Sequence, residues 1–194
     1  MGYWRAGFDV TGVDVVPQPS YPFTFVQADA LAYPLDGFDA VHASPPCQAY
    51  SVATGNARRG DHVDLYEPVR RRLEASGLPW VIENVIGAPY RQGVVLCGSM
   101  FGLRVRRHRN FEASFLMLAP ACDHATQGRP LGVYGAGGRS IRPRRSDGVL
   151  HGQKAGHNEW PALMGMPWAD WRGCGQAVPP AYTEWIGREL LAVL

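Results

Sequence analysis

Short apolar runs, each closed by an acid, a proline or a glycine, dominate the first hundred residues and set the reading of the chain. Gly2-Tyr3-Trp4-Arg5-Ala6 reads as the end of a helix stopped by Gly7, and Phe8 to Val15 as a buried strand whose polar end is Asp14. After the proline-rich connector Pro17-Gln18-Pro19-Ser20-Tyr21-Pro22, a second strand is predicted over Phe23-Thr24-Phe25-Val26-Gln27, with Asp29 just beyond it. Phe38 to Ala43 reads as a third strand, which must stop at Pro45-Pro46 because proline cannot donate to a ladder. Leu65, Val69 and Leu73 recur at fourfold spacing between a capping Asp64 and Gly77, so Asp64 to Ser76 is expected to be an amphipathic helix with Arg70-Arg71-Arg72 solvated. Trp80 to Val85 follows as a strand, and Val94 to Cys97 and Phe111 to Leu118 are further candidates.

Strand, helix and strand in alternation predict an α/β domain with a mainly parallel sheet flanked by helices. From Ala119 to Trp160 the character changes to glycine, proline and arginine, which reads as a loop-rich insert. Pro179-Pro180 then opens a last helix through Leu194, whose Ile186, Leu190, Leu191 and Leu194 are expected to dock on the core. The chain thus divides into a core over residues 1–111, an insert over 112–160 and a C-terminal segment over 161–194 that returns to the core.

At 194 residues the chain has the size of one domain, and 46% hydrophobic with 19% charged residues argues against disorder. A net charge of +2 is too weak to point to nucleic acid. Locally, though, residues 113 to 159 hold six basic side chains, among them Arg139, Arg142, Arg144 and Arg145, against three acidic ones, a set suited to neutralising phosphates. No run approaches the roughly 18 apolar residues of a membrane span, so no membrane association is expected. Cys47, Cys97, Cys122 and Cys174 are scattered without a CxxC pair and no secretory signal is apparent, which reads as a reducing, cytoplasmic setting. Cys122, His124, His151 and His157 are metal-capable types, but their spacing fits no known finger or ribbon, so no metal is expected; Cys97 and Cys174 read as packing residues.

In a domain of this kind ligands gather at the carboxyl ends of the strands. Asp14, Asp29, Cys47 and Glu83 all fall there, and their common placement is the physical reason to treat them as one site.

Pro45-Pro46-Cys47-Gln48-Ala49-Tyr50-Ser51 resembles the signature loop of the cytosine-C5 DNA methyltransferases. Glu83-Asn84-Val85 resembles that family's Glu-Asn-Val motif. Arg107-His108-Arg109 resembles its Gln-x-Arg-x-Arg motif, with Val105 in place of the glutamine. Gly175-Gln176-Ala177-Val178-Pro179-Pro180 resembles its late Gly-Asn-Ala-Val-Pro-Pro motif, with Gln176 for asparagine. The resemblance implies a Rossmann-like, S-adenosylmethionine-dependent fold and methyl transfer to C5 of a cytosine flipped out of double-stranded DNA. It makes Cys47 the nucleophile at C6, Glu83 the acid at N3, Arg109 a contact to the base O2, and Arg107 a support for the loop or Cys47. An ordinary thiol is only about a few per cent thiolate at neutral pH, which is why a neighbouring cation matters. The resemblance also assigns Asp14, Val15, Asp29, Ala30, Pro46, Gln176 and Val178 to the cofactor, and Gln48, Ser51, Asn84 and the four insert arginines to DNA.

Two departures qualify what is implied. The family's opening strand and Phe-x-Gly-x-Gly loop, expected ahead of the helix that begins at Met1 or Gly2, are absent; that strand would lie in the sheet between the one ending at Asp14 and the one leading to Cys47, and an upstream start of the reading frame is the expected reason. The insert is small, which implies short or relaxed sequence specificity and fits a phage or prophage origin, with any restriction partner unspecified. The alternatives are a catalytically inactive or truncated DNA-binding homologue, and a related transferase acting on RNA or with a modified donor.

Overall fold

The computed structural model describes residues 1–51, 54, 56–134 and 153–194. The molecule is of mixed α/β class. Helix α1 (Gly2–Ala6) ends at Gly7, whose φ of 108° is the left-handed turn that a Cβ disfavours and whose N–H reaches Trp4 O. Strands β1 (Thr11–Asp14) and β2 (Thr24–Gln27) pair in parallel, with Asp14 opposite Gln27. Next come β3 (Val41–Ala43), α2 (Tyr66–Ser76) and β4 (Trp80–Asn84), with β3 and β4 parallel as the crossover helix between them allows.

Strands β5 (Gly93–Leu96) and β6 (Arg109–Ala113) complete a four-stranded sheet of order β3-β4-β6-β5. Both pairings of β6, with β4 and with β5, are antiparallel, so this sheet is mixed and not mainly parallel as the alternating pattern predicts. Strands β5 and β6 are joined without a crossover helix, apart from one short 3-10 turn over Gly98–Phe101, so they form an antiparallel hairpin, and β6 then inserts antiparallel beside β4, which leaves β4 and β5 running the same way. Strand β6 also ends at Ala113, short of the expected Leu118, and Leu116 and Leu118 are exposed. Among the described residues, β1 and β2 pair only with each other and β3 only with β4.

Every residue of β4 is buried, and the strand's period of two decides which helix each face meets. Val81 joins Leu96, Phe111, Tyr182 and Ile186 in one core, under α5 (Pro180–Leu191). Trp80 and Ile82 join Tyr66 and Leu73 of α2 in another. Asp64, expected as the cap of α2, instead closes a turn just ahead of it by accepting from Tyr66 N at 2.9 Å, while the N-cap position falls to Leu65, whose side chain makes no cap. Arg70, expected in solvent, is 2% exposed instead, because it shares the sheet-facing stripe with Tyr66 and Leu73. It pairs with buried Glu112 of β6 at 2.7 Å, and Tyr66 donates to the same carboxylate oxygen at 2.9 Å. At the C-terminus Ile186 and Leu190 dock as expected, while Leu191, one position off the stripe that Ile186 and Leu190 share, and Leu194, beyond the end of α5, stay exposed.

The insert and the following segment build a third core. Two-residue strands β7 (Leu131–Gly132) and β8 (Gln153–Lys154) pair in parallel, and helices α3 (Trp160–Met164) and α4 (Trp171–Gln176) close over Val105, Val133, Ala155, Trp160, Met164 and Cys174. Trp160 is fully buried and donates through Nε1 to Ala155 O at 3.1 Å, so its role is packing. Among the described residues, no helix is long and apolar enough to cross a membrane.

Candidate functional site

Because β3 and β4 run in parallel, their carboxyl ends meet, and Cys47 and Glu83 follow from that edge. The loop leaving β3 is shaped before it reaches Cys47. Asn84, almost fully buried, donates from Nδ2 to Pro45 O at 3.0 Å and accepts from Val85 N at 2.9 Å. Its side chain is therefore committed to holding the Pro45-Pro46-Cys47 segment against β4, with none of the exposure a DNA contact needs. Beyond the prolines, Cys47 O accepts from Tyr50 N at 3.0 Å and Ser51 N at 2.8 Å, which turns the chain back on itself. Cys47 is half-buried, Gln48 and Pro46 are exposed, and Ser51 is half-buried.

Glu83 lies almost wholly inside the protein, at the end of the fully buried β4. Arg109, at the start of β6, meets it with Nε 3.1 Å from Oε1 and also donates from Nη1 to His108 O at 2.9 Å. Burial pushes the Glu83 carboxyl up, against the opposing pull of Arg109, the Ser44 hydroxyl and Arg107. A carboxyl that stays protonated into a higher pH range and points beside a guanidinium is equipped to give a proton to a weakly basic ring nitrogen.

Arg107 is the other member of the motif, and it does different work. It is the only non-glycine with a left-handed φ among the described residues, at 39°, where a side chain carries strain. Its guanidinium donates to Val133 O at 2.9 Å and to Gly175 O at 2.8 Å, tying the third core to the strand that carries Arg109. Burial and the nearby Arg109 charge push its pKa down to about 10. Tyr182 Oη reaches both Arg106 O at 3.0 Å and Arg107 O at 3.1 Å, so α5 holds the same bend.

Comparison with protein-family models and with curated proteins finds no match.

A set of residues not anticipated from the sequence stands behind Glu83. Tyr3 Oη lies 2.7 Å from His42 Nδ1, His42 Nε2 lies 3.2 Å from Ser44 Oγ, and the Ser44 hydroxyl stabilises the charged form of Glu83. Burial lowers His42 to about 4, so it is neutral at physiological pH. One arrangement of protons satisfies every member: Tyr3 donates to Nδ1, Nε2–H donates to Ser44, and Ser44 donates to the carboxylate, which only accepts. The sequence carried a partial signal in His42, a polar residue in a strand one step before the loop, but nothing in it brings Tyr3 of α1 alongside.

Asp14 and Asp29 come to the same end of the β1–β2 pair. Asp14 Oδ1 accepts from Val16 N at 2.8 Å and its Oδ2 from Gln18 Nε2 at 3.3 Å, while Asp29 Oδ1 accepts from Leu31 N at 2.8 Å, so each carboxylate closes its own turn. Val15 and Ala30 are exposed beside them. Gln176 is exposed at the end of α4, and Val178 is half-buried and packs on the core under α5. Arg139, Arg142, Arg144, Arg145 and His151 lie outside the described residues. Among the described residues His157 joins no metal-capable group; its ring stacks on Trp171 with centroids 4.3 Å apart. Cys97 and His108 do, alongside Cys122 and His124.

Proposed function

We propose that the chain is a cytosine-C5 methyltransferase that acts on DNA, with Cys47 as nucleophile and Glu83 as the acid at N3. The observation that carries this reading is Glu83 itself, a buried carboxyl raised above its ordinary value, held between Arg109 and Ser44 at the strand edge from which the Cys47 loop departs. Cytosine C6 is a poor electrophile, and protonation at N3 is what lets a thiolate add there. Cys47 Sγ forms the bond to C6, Glu83 gives its proton to N3, and the electron pair pushed onto C5 makes that carbon nucleophilic. S-adenosylmethionine, when bound, supplies the methyl group. Return of the N3 proton to the Glu83 carboxylate, loss of the C5 proton to a base and elimination of the Cys47 thiolate, which restores the C5–C6 double bond, then regenerate the free enzyme.

The remaining residues divide between binding and positioning. Asn84 fixes the Cys47 loop through Pro45. Arg109 holds Glu83 and supports the reading in which it meets the base O2. The carboxylates of Asp14 and Asp29 suit the hydroxyl and amino donors of an adenosine, with exposed Val15 offering an apolar face to the purine. Neither face of C6 is reachable within a stacked duplex, so the target base must leave the helix.

The test uses DNA of mixed sequence in which 5-fluorocytosine replaces cytosine, incubated with S-adenosylmethionine. Fluorine at C5 cannot be lost as a proton is, so a competent enzyme stays covalently attached. A shifted band is expected from the native chain and none from Cys47→Ala, while Glu83→Gln is expected to slow trapping by about 10²–10⁴-fold. Well-folded native protein that leaves such DNA unlinked would overturn the reading.

A further inference from the structure

Four side chains far apart in the sequence meet at one point beyond the β5–β6 hairpin. Cys97 follows β5 directly, His108 immediately precedes β6, and Cys122 and His124 lie in the irregular connection that leads to β7. Their ligand atoms all lie within 4.8 Å of one another. Cys97 Sγ is 3.3 Å from His124 Nε2, and Cys122 Sγ is 3.4 Å from His108 Nε2. The two imidazoles stand edge to face, with centroids 5.1 Å apart.

We propose that Cys97, His108, Cys122 and His124 bind one zinc ion as a closed, tetrahedral, structural site. Zinc bonds of about 2.3 Å to sulfur and about 2.0–2.1 Å to nitrogen place tetrahedral ligand atoms about 3.3–3.8 Å apart, which is the spacing of the two sulfur–nitrogen pairs here. Hydrogen bonding alone needs these groups only in twos; a common ion accounts for all four facing one another. Two thiolates also balance the charge of a divalent cation, and two imidazoles complete its borderline-soft preference. With four protein ligands no coordination position remains for substrate, so the role is structural.

The surroundings fit an outer shell. Ser99 Oγ donates to Cys97 Sγ at 3.2 Å and accepts from Asp123 N at 3.1 Å, linking the buried sulfur to the loop that carries Cys122 and His124. Gln127 Nε2 continues the attachment, donating to Leu103 O at 2.8 Å and Val105 O at 3.0 Å. Most residues from Ala119 to Thr126 are exposed, and Cys122 is exposed while Cys97 is fully buried. That segment has little apolar burial to keep it against the hairpin, which is the task a metal performs for short irregular chain. His108 sits between Arg107 and Arg109, so the same ion fixes the peptide from which both arginines project. This inference stands independently of the methyltransferase reading.

The test is elemental analysis of the full chain, expressed in zinc-replete medium without a histidine tag and passed through gel filtration. About one zinc per chain is expected. Replacing it with cobalt should give the visible bands of tetrahedral Co²⁺ together with sulfur-to-cobalt charge transfer, a reading that needs no variant. Cys122→Ser and His124→Ala, checked for folding by circular dichroism, should lose the metal, and Cys174→Ser, a buried cysteine of the third core, should keep it. Folded native protein that holds no zinc and gives no tetrahedral cobalt spectrum would overturn the proposal. So would a Cys97–Cys122 disulfide in freshly purified protein, or zinc retained in full by the Cys97→Ser/Cys122→Ser double variant.

Discussion

Glu83 is the residue on which most of the proposed chemistry turns, and its environment has a consequence for stability that can be read without any substrate. Burial raises its pKa, and the pull of Arg109, Ser44 and Arg107 does not cancel that rise. The folded state therefore binds the Glu83 proton more tightly than the unfolded chain does. That contribution to stability is fully present below the ordinary carboxylate pKa and is lost as pH rises through the folded value. Glu83→Gln cannot titrate. The urea stability of the native protein minus that of the variant is thus expected to fall as pH rises above the ordinary carboxylate pKa of about 4, since both proteins share every other titrating group. A difference that rises over the same interval would mean the ion pair with Arg109 outweighs burial, and Glu83 would then be a resting anion instead of an acid.

Helix α2 and strand β6 depend on one another through charge. Arg70 and Glu112 are both nearly solvent-free, and Glu112 also accepts from Tyr66. Removing one partner of such a pair leaves a buried charge uncompensated, so Arg70→Ala is expected to cost about 3–5 kcal/mol in urea unfolding, with Arg70→Met/Glu112→Leu recovering much of it. A loss under about 1 kcal/mol for the single variant would show that water reaches Glu112. The same pair marks how far local pattern carries. Fourfold spacing and the Asp64 and Gly77 signals locate α2 to within two residues, because capping and amphipathicity are local. That Arg70 faces inward depends on Glu112, forty-two positions away, and no local pattern encodes it. Strand direction behaves alike: the β3, α2, β4 crossover is legible as parallel, whereas the insertion of β6 between β4 and β5 is a tertiary choice. At the site, the Cys47 loop, Glu83 and the arginines are legible as residue types in a recurring order. The buried post of Asn84, the Tyr3–His42–Ser44 chain and the Cys97–His108 grouping arise only when distant strands are brought together.

The described residues build three apolar clusters, and the bend at residues 103–109 is where two of them meet. Leu103 packs on both the core under α5 and the core around Trp160, Val105 belongs to the latter, and Arg107 bonds across to Val133 and Gly175. Each such bond from a charged donor contributes about 1.5–3 kcal/mol, enough to decide whether the smaller cluster opens alone. Arg107→Met keeps most of the side-chain volume and removes both bonds. Its expected effect is local: faster amide hydrogen exchange over Trp160–Met164 and Trp171–Gln176, with the amides of Trp80–Asn84 exchanging as before. Equal acceleration in all three segments would mean that the clusters unfold as one unit. Because Arg107 and Arg109 share the bend, the local outcome carries a functional corollary. Loosening the third core should also free Arg109 from Glu83, so fluorocytosine trapping by Arg107→Met should slow even though the guanidinium it loses is bonded to two backbone carbonyls.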